Sequence, residues 1–392
     1  MPAWILEPRG HAALADGMTR GNEWCRTWTL WRTTQPPASV TYQTSGRPAR
    51  RFWRRAVVEE FRMSSPEGPG RFPPVVLCCD PGLDDAWLIA TLLGRGVDLR
   101  AVVVSYGCAP VDDCLRTASG ILRLAGRDDI PVIRGAEETL GHNPVQPHPE
   151  RFGGSNGFMD LALEPGRSPI IAGNPEEVAL AVRDVLARSP GCAFLNTCPA
   201  TTAALVERHY PGTFGAHVRS VHIMGGAFDG PGNSGTKRPG RRFGCAEFNV
   251  FHDAESFRLL LGLVPPAKLV TWDLRHVCLT RALVHSHQAR TPLGKALLEA
   301  TGRFFEIYGS DNLEDSGPEP VCSVIDVLTA FTLGAEGEFT RETVAVVGEG
   351  DWYGETVRDP SGVEVDLFRP PSAAALVPRL LDLADRCDLP TT

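Results

Sequence analysis

From residue 74 onward the chain alternates short, β-branched apolar runs with amphipathic stretches of helix length, and this alternation constrains its fold more than any other feature. A strand buried on both faces reads as a continuous apolar run, and the helix that follows it must cover one of those faces. The outcome is an α/β architecture, a mainly parallel sheet with helices on both faces. The pattern predicts strands at Val75–Cys79, Leu99–Ser105, Ile130–Ile133, Ala193–Asn196, Val221–Met224, Lys268–Trp272 and Thr343–Val347. It predicts helices at Asp84–Gly94, Asp113–Leu124, Glu177–Arg188, Leu293–Tyr308, Ser323–Leu333 and Ala373–Ala384. No internal repeat of fixed period is present.

Residues 1–72 break this pattern. They carry several Trp and many Arg, show little periodicity, and end in the turn-rich Ser64-Ser65-Pro66-Glu67-Gly68-Pro69-Gly70. They read as an N-terminal extension, either a disordered appendage or the product of a start placed upstream of Met63, ahead of a domain spanning 73–392. That domain is expected to fold and act without the extension. The Arg51–Arg55 stretch reads as a solvated charge run.

Composition narrows the function class. At 392 residues and 43% hydrophobic content the chain can bury a large core. Its formal charge of −8 argues against a nucleic-acid surface, which needs clustered Lys or Arg, and favours a small polar substrate. Eleven cysteines stand without a C-x-x-C pair, Cys78 and Cys79 being adjacent. Odd in number and irregular in spacing, they suit buried free thiols in a reducing cytoplasm better than a secreted disulfide framework. No run approaches the ~18 apolar residues of a membrane span, and the first residues lack the pattern of a secretory signal.

The chemistry concentrates at the end of the first strand, where Asp80-Pro81-Gly82-Leu83-Asp84-Asp85 packs three carboxylates into six residues of a strand-to-helix turn. Such crowding is electrostatically costly unless a cation neutralises it. In parallel α/β sheets ligands bind at the carboxyl ends of strands, where this cluster falls. Ligation by oxygen alone favours Ca²⁺ or Mg²⁺ over zinc. The plain alternative is that Asp84 caps the helix and the other two are solvated.

D-P-G-x-D-D after an apolar strand resembles the signature of the inosine-uridine-preferring nucleoside hydrolases, and further segments follow in the family's order. Thr197-Cys198-Pro199-Ala200-Thr201 is similar to its T-G-P-L-T, and Met224-Gly225-Gly226 to its M-G-G. Ala246-Glu247-Phe248-Asn249-Val250-Phe251, followed by Asp253, is similar to its A-E-F-N-x-F. Trp272-Asp273-Leu274 and Gly354-Glu355-Thr356-Val357-Arg358-Asp359 resemble two later segments. The likeness spans roughly residues 74–386. It implies a nucleoside hydrolase-like fold and a homodimer or homotetramer that cleaves the N-glycosidic bond of a nucleoside-like small molecule in nucleoside catabolism.

By motif position the resemblance implies calcium held by Asp80, Asp85 and the backbone carbonyl of Thr197. Asp80 would also take the proton of the calcium-activated water. Asp84, Glu247 and Asn249 would hydrogen-bond the ribose hydroxyls, and Met224 would pack near the sugar. Each residue taken singly has an ordinary reading: Glu247 as a surface residue, Asn249 as a turn former, Thr197 as a strand-end cap and Met224 as core filler. Their order is what points to the site.

Several positions depart from the family pattern. The G-N pair after the second strand is Gly107-Cys108, and the H-G-x-x-G segment corresponds to Gly153-Gly154-Ser155-Asn156-Gly157, without its His. The late P-x-H-D element, which supplies a base-contacting His and a calcium-binding Asp, aligns with Pro320-Val321-Cys322-Ser323. Asp326, three residues on, is a second candidate for that carboxylate if a helix has begun by Ser323. The Asn expected before A-E-F-N falls in the insertion 229–244, where Asn233 and Arg241 both qualify. Three functions are therefore compatible with the sequence: an active N-ribosyl hydrolase with weakened calcium binding or an altered substrate, a homologue that binds a ribosyl ligand in a regulatory or specialised biosynthetic role without cleaving it, or a hydrolase of another ribosyl compound.

Overall fold

A computed structural model describes residues 71–141, 153–234, 246–308, 321–334 and 336–386. The expected extension therefore lies almost wholly outside the described residues, and so does Arg241. Among the described residues twelve strands follow in chain order: β1 Val75–Cys79, β2 Leu99–Val104, β3 Val132–Arg134, β4 Ile170–Ile171, β5 Cys192–Asn196, β6 Val218–Met224, β7 Ala267–Val270, β8 Cys278–Thr280, β9 Val321–Ser323, β10 Glu338–Val346, β11 Thr356–Arg358 and β12 Val363–Arg369. The α-helices are α1 Leu83–Gly94, α2 Val111–Leu124, α3 Pro175–Arg188, α4 Thr201–His209, α5 Thr213–His217, α6 Phe248–His252, α7 Ala254–Leu263, α8 Arg281–Ser286, α9 Pro292–Tyr308, α10 Val327–Phe331 and α11 Ala373–Ala384.

Ten strands form one sheet in the order β11-β10-β12-β7-β6-β5-β1-β2-β3-β4, and β8 pairs with β9 separately. The pairings from β4 through β1 to β12 are parallel, and β10 runs antiparallel to both β12 and β11. The mainly parallel α/β fold expected from the alternation is therefore observed, with an antiparallel edge added.

β1 lies at the heart of the sheet and shows why its sequence is apolar throughout. Val75, Leu77 and Cys79 face one hydrophobic cluster, with α1, α2, α9, α10 and α11, while Val76 and Cys78 face the other, with α3, α4 and α7. Period-two alternation thus places every residue of the strand in a core. From β1 the sheet builds outward through β2, β3 and β4, and the chain returns to add β5, β6 and β7 on the other side. The crevice between the carboxyl ends of β1 and β5 is therefore the topological switch point, where this architecture binds ligands.

The structure corrects one predicted element. Ser323–Leu333 was expected as a helix, but Val321–Ser323 is a strand and the helix begins only at Val327. The stretch Val321–Phe331 is almost entirely buried, so its polarity carries no period from which strand and helix can be told apart. No helix among the described residues is long and apolar enough to cross a membrane.

Candidate active site

Asp80 follows β1 directly and is buried, as are Asp85 in the first turn of α1 and Asp326 just before α10, while Asp84 is half-buried. A helix N-terminus favours nearby negative charge, so Asp84 and Asp85 gain from the α1 dipole. Hydrogen bonds fix the group. The Asp80 amide donates to Asp85 Oδ2 at 3.2 Å, the Thr197 hydroxyl donates to Asp85 Oδ1 at 2.6 Å, and the Cys108 amide donates to Asp80 Oδ2 at 2.5 Å. Asp84 and Asp326 share a hydrogen bond between their carboxyl groups.

Gly107 is required by this geometry. A Cβ there would stand 1.9 Å from Asp80 Oδ2, so the carboxylate can lie across the backbone only because residue 107 has no side chain. The Gly153–Gly157 turn closes in from the other side, with a Cβ at Gly157 reaching 3.3 Å from Cys108 Sγ.

The electrostatics are those of acids facing acids. Burial pushes Asp80 and Asp326 well above the ordinary carboxylate range, and neighbouring aspartates push them further. Burial raises Asp85 to about 8, with Asp84 as the next cause. Asp84 is also raised, again chiefly by burial, while the bond from Asp326 acts in the opposite sense. Among the described residues no basic side chain is a leading influence on these four. In such a setting protons or a cation must offset the charge.

The ribose-side candidates gather from β5, β6 and α6. Thr197 follows β5, and Met224 ends β6. Asn249 Nδ2 donates to the Thr197 carbonyl at 3.1 Å and lies 3.4 Å from the Met224 carbonyl. Glu247 caps α6, accepting from the amides of Asn249 at 3.0 Å, Gly226 at 3.1 Å and Val250 at 3.2 Å. Burial nevertheless lifts Glu247 to about 7. Asn233 Oδ1 accepts from the Phe248 amide at 2.8 Å, which joins the insertion to the start of α6.

Among the described residues no group of three or more His, Cys, Asp or Glu side chains stands around a common point as a metal-binding set. The donor chemistry nonetheless fits a hard cation: buried carboxylates with no described basic side chain among their leading influences, bonded to Thr197, with oxygen as the donor atom. Cys322 is a buried thiol pushed up by burial, and the Ser323 hydroxyl has no hydrogen-bond partner among the described residues. Asp326 is the residue of this segment that meets the acidic group, through Asp84. The helical face on which Ser323 and Asp326 were expected to stand together does not exist, because Ser323 ends a strand.

Fold and site together define a mainly parallel α/β protein with a cluster of carboxylates at its switch point. Residues 75–382 match the family described as inosine-uridine preferring nucleoside hydrolase, and the chain belongs to that family. It is 27% identical over 327 residues to the pyrimidine-specific ribonucleoside hydrolase RihA of Salmonella arizonae, covering 78% of this chain and 98% of that one. To RihA of Citrobacter koseri it is 28% identical over 328 residues, covering 78% and 97%. Among solved structures, a purine-preferring ribonucleoside hydrolase from Gardnerella vaginalis superposes with a TM-score of 0.69 at 18% identity, covering 80% of this chain and 99% of that one. The inosine-uridine preferring nucleoside hydrolase of Bacillus anthracis superposes with a TM-score of 0.63 at 19% identity, covering 80% and 99%.

Proposed function

We propose that this chain hydrolyses the N-glycosidic bond of a ribonucleoside or a related ribosyl compound. The observation that carries the reading is the set of four carboxylates, Asp80, Asp84, Asp85 and Asp326, at the switch point, whose leading influences among the described residues include no basic side chain. Calcium is the cofactor this set suits, held by Asp80, Asp85 and Asp326 together with the Thr197 carbonyl. When bound, the ion offsets the acidic charge and lowers the pKa of water beside it.

Asp80 takes the proton from the attacking water. Its orientation for that task comes from the Cys108 amide and the absence of a side chain at Gly107. Asp84, Glu247 and Asn249 receive the ribose hydroxyls, Met224 packs against the sugar, and Asn233 stands at the edge toward the insertion. Cleavage proceeds through an oxocarbenium-like sugar, whose positive charge the surrounding carboxylates stabilise. The same reading carries a homodimer or homotetramer and a cytoplasmic setting.

Placing the family's P-x-H-D aspartate at Asp326 rather than Ser323 sets Ile325 where the base-contacting His is expected. Ile325 is buried and cannot donate a proton. Bases that depart without protonation by an imidazole are therefore the preferred leaving groups. The relatives' names include both pyrimidine-specific and purine-preferring enzymes, so the choice of base rests on this pocket rather than on kinship.

The test is a panel of ribonucleosides assayed for release of reducing sugar, with calcium and with a chelator. Release that requires calcium is expected. Binding of ribonucleosides without release from any of them would instead establish a ribosyl-binding homologue. Within the active enzyme, Asn249→Ala is expected to raise KM, by an amount on the order of the ~5–30-fold that 1–2 kcal/mol represents. Its amide donates to both the Thr197 and Met224 carbonyls, so the variant loses a binding group and a brace at once. An unchanged KM would remove Asn249 from the ribose side.

A further inference from the structure

The segment after β6 carries the ribose side of the site, and one side chain from the distant edge strand β11 is bonded to it twice. Thr356 Oγ1 accepts from the Ala227 amide at 2.9 Å and donates to the Ala227 carbonyl at 3.0 Å. The residue is buried. Its neighbour in this arrangement, Gly226, has φ of +81° and would place a Cβ 3.1 Å from Thr356, so the close approach depends on glycine there. The Gly226 amide in turn donates to Glu247 Oε2, and the Gly226 carbonyl accepts from the Trp272 amide at 2.8 Å.

A path of hydrogen bonds therefore runs from Thr356 through Ala227 and Gly226 to Glu247, and from Glu247 to the Asn249 amide. Outer fastenings hold the following residues. Asp273 accepts from the amides of Phe228 and Asp229, and Arg358 forms a two-pronged pair with Asp229 at 2.8 and 3.0 Å. That ion pair is solvent-exposed and contributes little by itself. Thr356 is different because its bonds are buried and fall on the residue next to Gly226, where a shift of the peptide is passed directly to the Glu247 carboxylate.

We infer that Thr356 is a positioning residue for the ribose-binding side of the site, acting through Ala227, Gly226 and Glu247. This rests on the hydrolase reading above. Loss of its hydroxyl leaves the Ala227 amide and carbonyl buried without their partner and frees the turn, so binding groups lose their alignment while Asp80 and the acidic group across the crevice keep theirs. The kinetic mark of such a change is a higher KM with kcat little altered, since what is lost is binding rather than the proton transfer. Simple destabilisation would do the reverse, reducing the active fraction and the apparent kcat at constant KM.

The experiment compares the full chain with Thr356→Val, which keeps the shape and removes the hydroxyl, and Thr356→Ser, which restores it. Kinetics on a cleaved ribonucleoside are read together with backbone amide exchange at Ala227. We expect Thr356→Val to raise KM roughly tenfold, the scale of one or two buried hydrogen bonds, and to speed exchange at Ala227. Thr356→Ser should return both toward the parent. A parental KM in Thr356→Val, unchanged exchange at Ala227, or a Thr356→Ser enzyme as impaired as Thr356→Val overturns the inference. A parent chain that cleaves no ribonucleoside overturns the hydrolase reading instead, and the exchange comparison still decides whether Thr356 holds the turn.

Discussion

Asp80→Asn is expected to lower turnover by ~10²–10⁴-fold, the usual consequence of removing a proton-transfer group. The substitution keeps the size of the side chain and one oxygen able to accept the Cys108 amide, but it leaves no group that can take a proton from water. It also removes a negative charge that acts on Cys108 and Asp326. The variant should therefore be no less stable than the parent, and melting curves beside initial rates of sugar release separate chemistry from folding. Near-normal turnover would remove Asp80 from its proposed role.

Asp326→Asn is expected to weaken calcium binding by no less than the roughly 10–100-fold that even an outer partner of a metal ligand is worth. Calcium affinity follows the number of charged ligands, and Asp326 is the buried acid that shares a hydrogen bond with Asp84. Ser323→Asp should bring no comparable gain, because Ser323 ends β9 rather than sharing a helical turn with Asp326. Calorimetric titration of the parent and both variants checks this. Tighter binding in Ser323→Asp, with Asp326→Asn unchanged, would move the third carboxylate back to position 323.

These two aspartates differ in how far the sequence alone points to them. Asp80 was legible because three acids in six residues, set after a five-residue apolar strand, are too costly to be accidental in a buried turn. Thr197, Met224, Glu247 and Asn249 followed from their order, and hydrogen bonds link Asn249 to Thr197, Met224 and Glu247. Asp326 stood in an apolar stretch whose uniform burial erased the period that would have placed the strand end and the helix start. Gly107 and Thr356 fell within segments that resemble the family, but nothing local gave either its part in the site. The first matters through a carboxylate twenty-seven residues earlier in the chain, the second through a backbone peptide at Ala227.

The sequence by itself determined the class of fold, since strands buried on both faces and joined by helices have few solutions other than a covered parallel sheet. It also determined the position of the first acidic turn at a strand end. Only the tertiary structure decided which strand ends lie beside β1, because strand order is set by how the helices pack over the sheet and leaves no mark on any one segment. That order brings Thr197, Met224 and Glu247 to one crevice, carries Asp326 to Asp84, and sets Thr356 of an antiparallel edge strand against the turn after β6. These are long-range contacts between short segments, and their physical cause is burial and hydrogen bonding across the fold rather than any local preference of the residues involved.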